Sequence, residues 1–259
     1  MKASNILLLL VVFTLAACAG SEKEVDKIGD AQICLDSLGI SPTSAEVSEC
    51  LKKVEGITSV GAESIRCAGG FIREGFGSPK RFVDAMGAID GGTSGSNMQT
   101  LMGLLTFTAE GAVNDDLSNA QTTFNSCLSS GGKGATLLAS YTYLTMSMVR
   151  YYNSQNAGGC PSTPGTDSNG YKFYDLGSCI QNGILDTIHL VDASTGNTDA
   201  QTAQNGIGAV IISAHLLSCS GSGSKSPLCG VLDTAISEAG GTSNPRVVAV
   251  KFFEEIVNP

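Results

Sequence analysis

Residues 135–152 read ATLLASYTYLTMSMVRYY, from Ala135 to Tyr152. Leu137, Leu138, Tyr141, Leu144, Met148 and Val149 distribute apolar side chains around the whole circumference of a helix rather than along one stripe. Such a helix has to be enclosed on every side. It therefore predicts an all-α body with other helices packed around a central one. The Ser, Thr and Tyr hydroxyls and Arg150 argue against a membrane span. Strict apolar/polar alternation over a strand length is scarce, so an all-β chain fits poorly.

Helical patterns extend to either side. Val25, Ile28, Ala31, Leu35 and Leu38 follow a three-to-four spacing. Ser41-Pro42 reads as an N-cap and first helical residue for a helix that carries Val47, Cys50, Leu51 and Val54 and stops at Gly56. Val60–Phe76 continues the pattern, and Ser78-Pro79 starts another helix with Phe82, Val83, Met86 and Ile89. A loop over 91–97 precedes a helical pattern from Met98 to Val113, then Leu117–Leu128, ending at Gly131-Gly132. Asn153–Gly170 is the longest irregular stretch. Beyond it come Tyr174–Val191, Asp199–Leu217 with Asp199 as N-cap, Leu228–Ala239, and Pro245–Val257 opened by Asn244-Pro245.

The sum is about ten helices joined by Gly/Ser-rich turns. The expected architecture is an irregular, solenoid-like array of stacked hairpins, with an antiparallel helical bundle as the alternative. Two lobes are expected at 28–152 and 171–259, joined by the loop 153–170. No constant repeat period runs through the chain.

Composition narrows the function classes. An apolar fraction of 42% against 15% charged residues excludes disorder as the main state. The net charge of −9 disfavours nucleic-acid binding, which needs a basic face to meet phosphates.

The first twenty residues carry a different signal. Lys2 gives a positive end, and Ile6–Leu15 form an apolar run half the ~20 residues that a bilayer-spanning helix needs. That is the shape of an export signal. Leu15-Ala16-Ala17-Cys18 resembles the lipobox of bacterial lipoproteins. The resemblance implies that residues 1–17 are a signal peptide removed before Cys18. It implies too that Cys18 is diacylated through its sulfur and acylated on its new amine, and that residues 18–27 are an acylated tether. The implied partner of Cys18 is the lipid bilayer. Ala19, standing where an Asp would resemble an inner-membrane retention signal, points to the outer membrane, facing the periplasm. Several acyl chains hold a protein on a membrane almost permanently.

Eight cysteines remain: Cys34, Cys50, Cys67, Cys127, Cys160, Cys179, Cys219 and Cys229. An even number in an exported chain predicts disulfides, because the periplasm is oxidising. Cys219 with Cys229 is the first expected pair, closing the Gly/Ser-rich loop between them. Cys160 with Cys179 is the next. Cys34, Cys50 and Cys67 suit pairing between adjacent helices, with Cys127 taking whichever is left over. Neither Cys-x-x-Cys nor any zinc-type spacing occurs, so no metal and no redox role is expected of these thiols.

Candidate chemistry is sparse. His189 and His215 sit in apolar helical patterns, where a packing role outweighs a catalytic one; Asp186 could serve His189. Gly206-Ile207-Gly208 lies inside a helical pattern, which suits close helix packing rather than a dinucleotide loop. Asp167-Ser168-Asn169-Gly170 resembles the opening of a calcium loop, but the closing Glu is missing, and a plain turn is the better reading. Asp115-Asp116 and Glu254-Glu255 read as solvated charges. No catalytic residue and no cofactor is assigned. Tyr151, Tyr152, Tyr171 and Tyr174 flank the irregular stretch and are the expected contacts for a partner or ligand. The function expected from all this is a helical envelope scaffold or adaptor for a protein partner. The alternative is a periplasmic small-ligand-binding protein or hydrolase with a pocket between two lobes.

Overall fold

The computed structural model describes residues 22–39, 42–77, 103–154, 163–166, 172–174, 198–219 and 227–257. Eight helices and one two-stranded sheet lie among the described residues: α1 (Glu22–Asp36), α2 (Ser44–Lys52), α3 (Val60–Arg73), α4 (Val113–Ser130), α5 (Lys133–Ser154), β1 (Gly165–Thr166), β2 (Lys172–Phe173), α6 (Thr198–Ser218), α7 (Pro227–Glu238) and α8 (Pro245–Val257). The chain is predominantly helical, with eight described helices in place of about ten. The patterns opened by Ser78-Pro79 and most of Tyr174–Val191 fall outside the described residues.

Local chemistry explains most boundaries. Thr43, not Ser41, caps α2: its hydroxyl accepts from the Glu46 N–H while the Glu46 carboxylate accepts from the Thr43 N–H, a reciprocal capping box. Ser59 caps α3, and α4 stops at Gly131 in the left-handed conformation, φ 72°. Asn244 accepts from the Val247 N–H ahead of Pro245 at the start of α8. Asp199 lies inside α6 rather than capping it. The first helix begins at Glu22, so residues 22–27, expected in the tether, are helical.

Two expectations fail for tertiary reasons. Residues 105–112, read as part of a helix over Met98–Val113, are irregular, because buried carboxylates take the amides of Thr108, Ala109 and Glu110 that a helix would need. Within Asn153–Gly170, expected to be irregular, β1 forms and pairs antiparallel with β2 just beyond that stretch, Gly165 opposite Phe173 and Thr166 opposite Lys172.

The cores do not divide at 153–170 either. One core lies within α1–α3 and includes Ala31, Leu35, Val47, Val54 and Ile65. The larger one runs from Phe76 through Leu105, Phe107, Leu144, Met148 and Ile211 to Phe252, across the expected boundary. A smaller cluster of Cys67, Phe124, Cys127 and Ala139 lies where α3, α4 and α5 meet. The expectation of an enclosed central helix holds: α5 packs against α4 and α6, and Leu144, Met146 and Met148 are fully buried. Its buried hydroxyls mostly bond back to the preceding turn, as Ser140 does to the Thr136 carbonyl and Thr142 to that of Leu138.

Glycines set two close helix contacts. A Cβ on Gly208 would stand 1.7 Å from the carbonyl oxygen of Pro245, and one on Gly70 would stand 2.1 Å from Thr123 Oγ1. Of the two glycines in Gly206-Ile207-Gly208, Gly208 serves helix packing, as its place inside a helical pattern predicts, while Gly206 has open space where a Cβ would stand. No described helix is long and apolar enough to cross a membrane.

Candidate functional site

Three disulfides join Cys34 to Cys50, Cys67 to Cys127, and Cys219 to Cys229. The first ties α1 to α2. The second ties α3 to α4, and the third closes the α6–α7 connection. Cys160 and Cys179 lie outside the described residues, as do Cys18, His189, Asp186 and residues 167–170.

The densest polar constellation surrounds residues 105–112. Glu74, just beyond α3 and 3% exposed, accepts from the N–H groups of Thr108 and Ala109. Asp116, in the first turn of α4 and fully buried, accepts from the Glu110 N–H at 2.9 Å and from the Tyr174 hydroxyl at 2.9 Å. The Tyr174 N–H in turn donates to Thr106 Oγ1. Glu110 faces outward and accepts from Ser44 and Asn119. Burial raises the Asp116 carboxyl above its ordinary range; the two hydrogen bonds pull the other way, and the nearby Glu110 and Asp115 charges add to the rise. Burial likewise raises the Tyr174 phenol, and its bond to the Asp116 carboxylate raises it further. With its donors supplied by backbone and phenol, this constellation holds a loop in place.

Two expectations are corrected here. Asp116 is not a solvated charge, although its neighbour Asp115 is exposed. Tyr174 is 1% exposed and spends its hydroxyl on Asp116, so it offers no surface to a partner. Tyr151 and Tyr152 belong to α5, their side chains lie outside the description, and Tyr171 is not described.

The second constellation is His215 on α6 and Asp233 on α7, with Nε2 to Oδ1 at 2.6 Å. His215 stands four residues before Cys219 and Asp233 four after Cys229, so this contact lies one turn along the hairpin from the disulfide. Among the described residues the other ring nitrogen, Nδ1, is buried and has no hydrogen-bond partner. The arrangement cross-braces two helices, a packing role for His215. Among the described residues no group of three His, Cys, Asp or Glu side chains could hold a metal ion.

The signal missed in the sequence was Glu74 and Asp116. Glu74 lies 34 residues from Thr108 and Asp116 58 from Tyr174, although Asp116 is only six from its other partner, Glu110. No local pattern marks them. Compared with protein-family models, with curated proteins and with solved structures, the chain gives no match.

Proposed function

We propose that this chain is a lipid-anchored envelope protein whose disulfide-braced helical body is a scaffold or adaptor for a protein partner. The observation that carries the reading is Leu15-Ala16-Ala17-Cys18 behind a ten-residue apolar run, the pattern of a lipoprotein signal. Three disulfides within one helical body support it, because such cross-links persist in an oxidising compartment such as the periplasm. A body attached through Cys18 to the periplasmic face of the outer membrane needs no membrane-spanning helix of its own.

The finer architecture we read as stacked hairpins. In support, α3 packs on α4, α4 on α5, and α5 on α6 among the described helices, while α6 packs more on α8 than on α7. The scaffold role is supported by where the polar chemistry is spent: Glu74, Asp116, Tyr174 and the His215–Asp233 pair all act inside the fold. Two measurements test the proposal. Mass spectrometry of the protein from a native envelope fraction is expected to find residues 1–17 absent and Cys18 carrying acyl chains. Cross-linking in intact cells, followed by purification in detergent, is expected to recover one stoichiometric protein partner. An unmodified Cys18, or a monomer cross-linked to nothing, overturns the corresponding half.

A further inference from the structure

Among the described residues the large apolar side chains left in solvent are Val25 and Ile33 on α1, Val60 on α3, Leu128 on α4 and Leu216 on α6, so three of the five lie on α1 and α3. Val25 on α1 is 65% exposed and Val60 at the start of α3 is 63% exposed. Ile28, half-buried, stands one turn after Val25 and joins the two, since a Cβ on Gly61 would lie 3.2 Å from Ile28 Cδ1. Gly29 is exposed beside them, with open space where its Cβ would be. Val25 and Val60 thus flank Ile28, which packs in part against the α1–α3 core, as a small apolar patch across α1 and α3.

We infer that this patch rests on the lipid bilayer and orients the helical body against it. The inference rests on the lipid-anchor reading above. Four chain links separate Cys18 from Glu22, the first residue of α1, and even fully extended they span at most about 14 Å. The centre of the patch, Ile28, lies six residues further on, about 9 Å along the helix. An acylated Cys18 therefore holds the patch within reach of the membrane surface. Helical side chains lean toward their N-terminus, which on α1 is the tethered end. Only Lys23 and Lys27 are basic on α1, against Glu22, Glu24, Asp26, Asp30 and Asp36, so the contact is apolar rather than an attraction to anionic lipid.

The chain has no tryptophan, so one introduced indole reports without background. Val60→Trp and, separately, Val25→Trp are made in the full-length lipidated protein and placed in phosphatidylcholine vesicles containing brominated acyl chains. Leu216→Trp, at a position 57% exposed on α6, is the control. The expected result is blue-shifted, bromine-quenched emission at positions 60 and 25, unchanged by salt, with the control unquenched. Mass spectrometry of the same samples reports Cys18. Acylated Cys18 with unquenched Trp at both positions overturns the bilayer contact and leaves the anchor standing. Unmodified Cys18 overturns both. Emission blue-shifted in native envelopes but unquenched in pure lipid puts a protein on the patch and overturns the inference.

Discussion

The Tyr174 hydroxyl donates to Oδ2 of Asp116 at 2.9 Å, joining the end of β2 to the first turn of α4 across 58 residues of chain. Both residues are buried, and the loop 105–112 hangs on the other oxygen of the same carboxylate through the Glu110 N–H. Tyr174→Phe deletes the donor and leaves a buried carboxylate oxygen unpaired. Unfolding by denaturant is expected to show a loss of about 1–3 kcal/mol. Unchanged stability would mean that water reaches Asp116.

Asp116 also gives the pH dependence a sign. Its carboxyl is raised by burial, so the folded state holds its proton to higher pH than the unfolded chain does. Its contribution to stability is greatest below the ordinary carboxylate value, about 3.9, and falls as pH rises through the raised folded value. Asp116→Asn keeps an acceptor for the Glu110 N–H and can donate to the Tyr174 oxygen. The variant is expected to gain stability relative to the natural protein as pH rises above about 4. Thermal unfolding at a series of pH values checks this, and parallel curves for the two proteins would sink it.

At Gly208 the backbones of α6 and α8 approach so closely that a Cβ would overlap the Pro245 carbonyl. Gly208→Ala is expected to destabilise by about 3 kcal/mol or more, since a carbonyl cannot swing aside as a side chain can. Gly206, two residues earlier with open space around it, is the control: Gly206→Ala removes helix-interior glycine and is expected to stabilise by about 0.5–1 kcal/mol. Equal effects at the two sites contradict the packing described.

The three disulfides should not contribute equally. They close separations of 60, 16 and 10 residues for Cys67–Cys127, Cys34–Cys50 and Cys219–Cys229. Loop entropy alone assigns about 4, 3 and 2.7 kcal/mol in that order. Cys67–Cys127 also holds α3 to α4 at the junction of the cores. Paired Cys→Ala variants are expected to lose melting temperature in that order. The expected Cys160–Cys179 bridge is checked by peptide mapping without reduction; a free thiol at either position excludes it.

Several local signals were sufficient in the chain alone, although the caps read at Ser41 and Asp199 were not. The all-round apolarity of Ala135–Tyr152 announced an enclosed helix, the Gly131 turn its predecessor's end, and Asn244-Pro245 the start of α8. Each depends on residues within a turn or two of one another, and three-to-four periodicity encodes that directly. The same holds for the Cys219–Cys229 bridge across its short loop.

Tertiary structure alone decided the rest. Asp115 and Asp116 are adjacent and chemically identical, yet one is exposed and the other fully buried under Tyr174. Tyr174 read as a surface aromatic because the loop it anchors, and the carboxylate that accepts its hydrogen bond, lie far away in the chain. Met98–Val113 carries helical spacing, but over 105–112 that preference loses to carboxylates delivered by α3 and α4 to its amides. Helical periodicity records which face of a segment is apolar. Which distant donor meets which buried acid is set only when the helices dock, and no spacing within a segment encodes that.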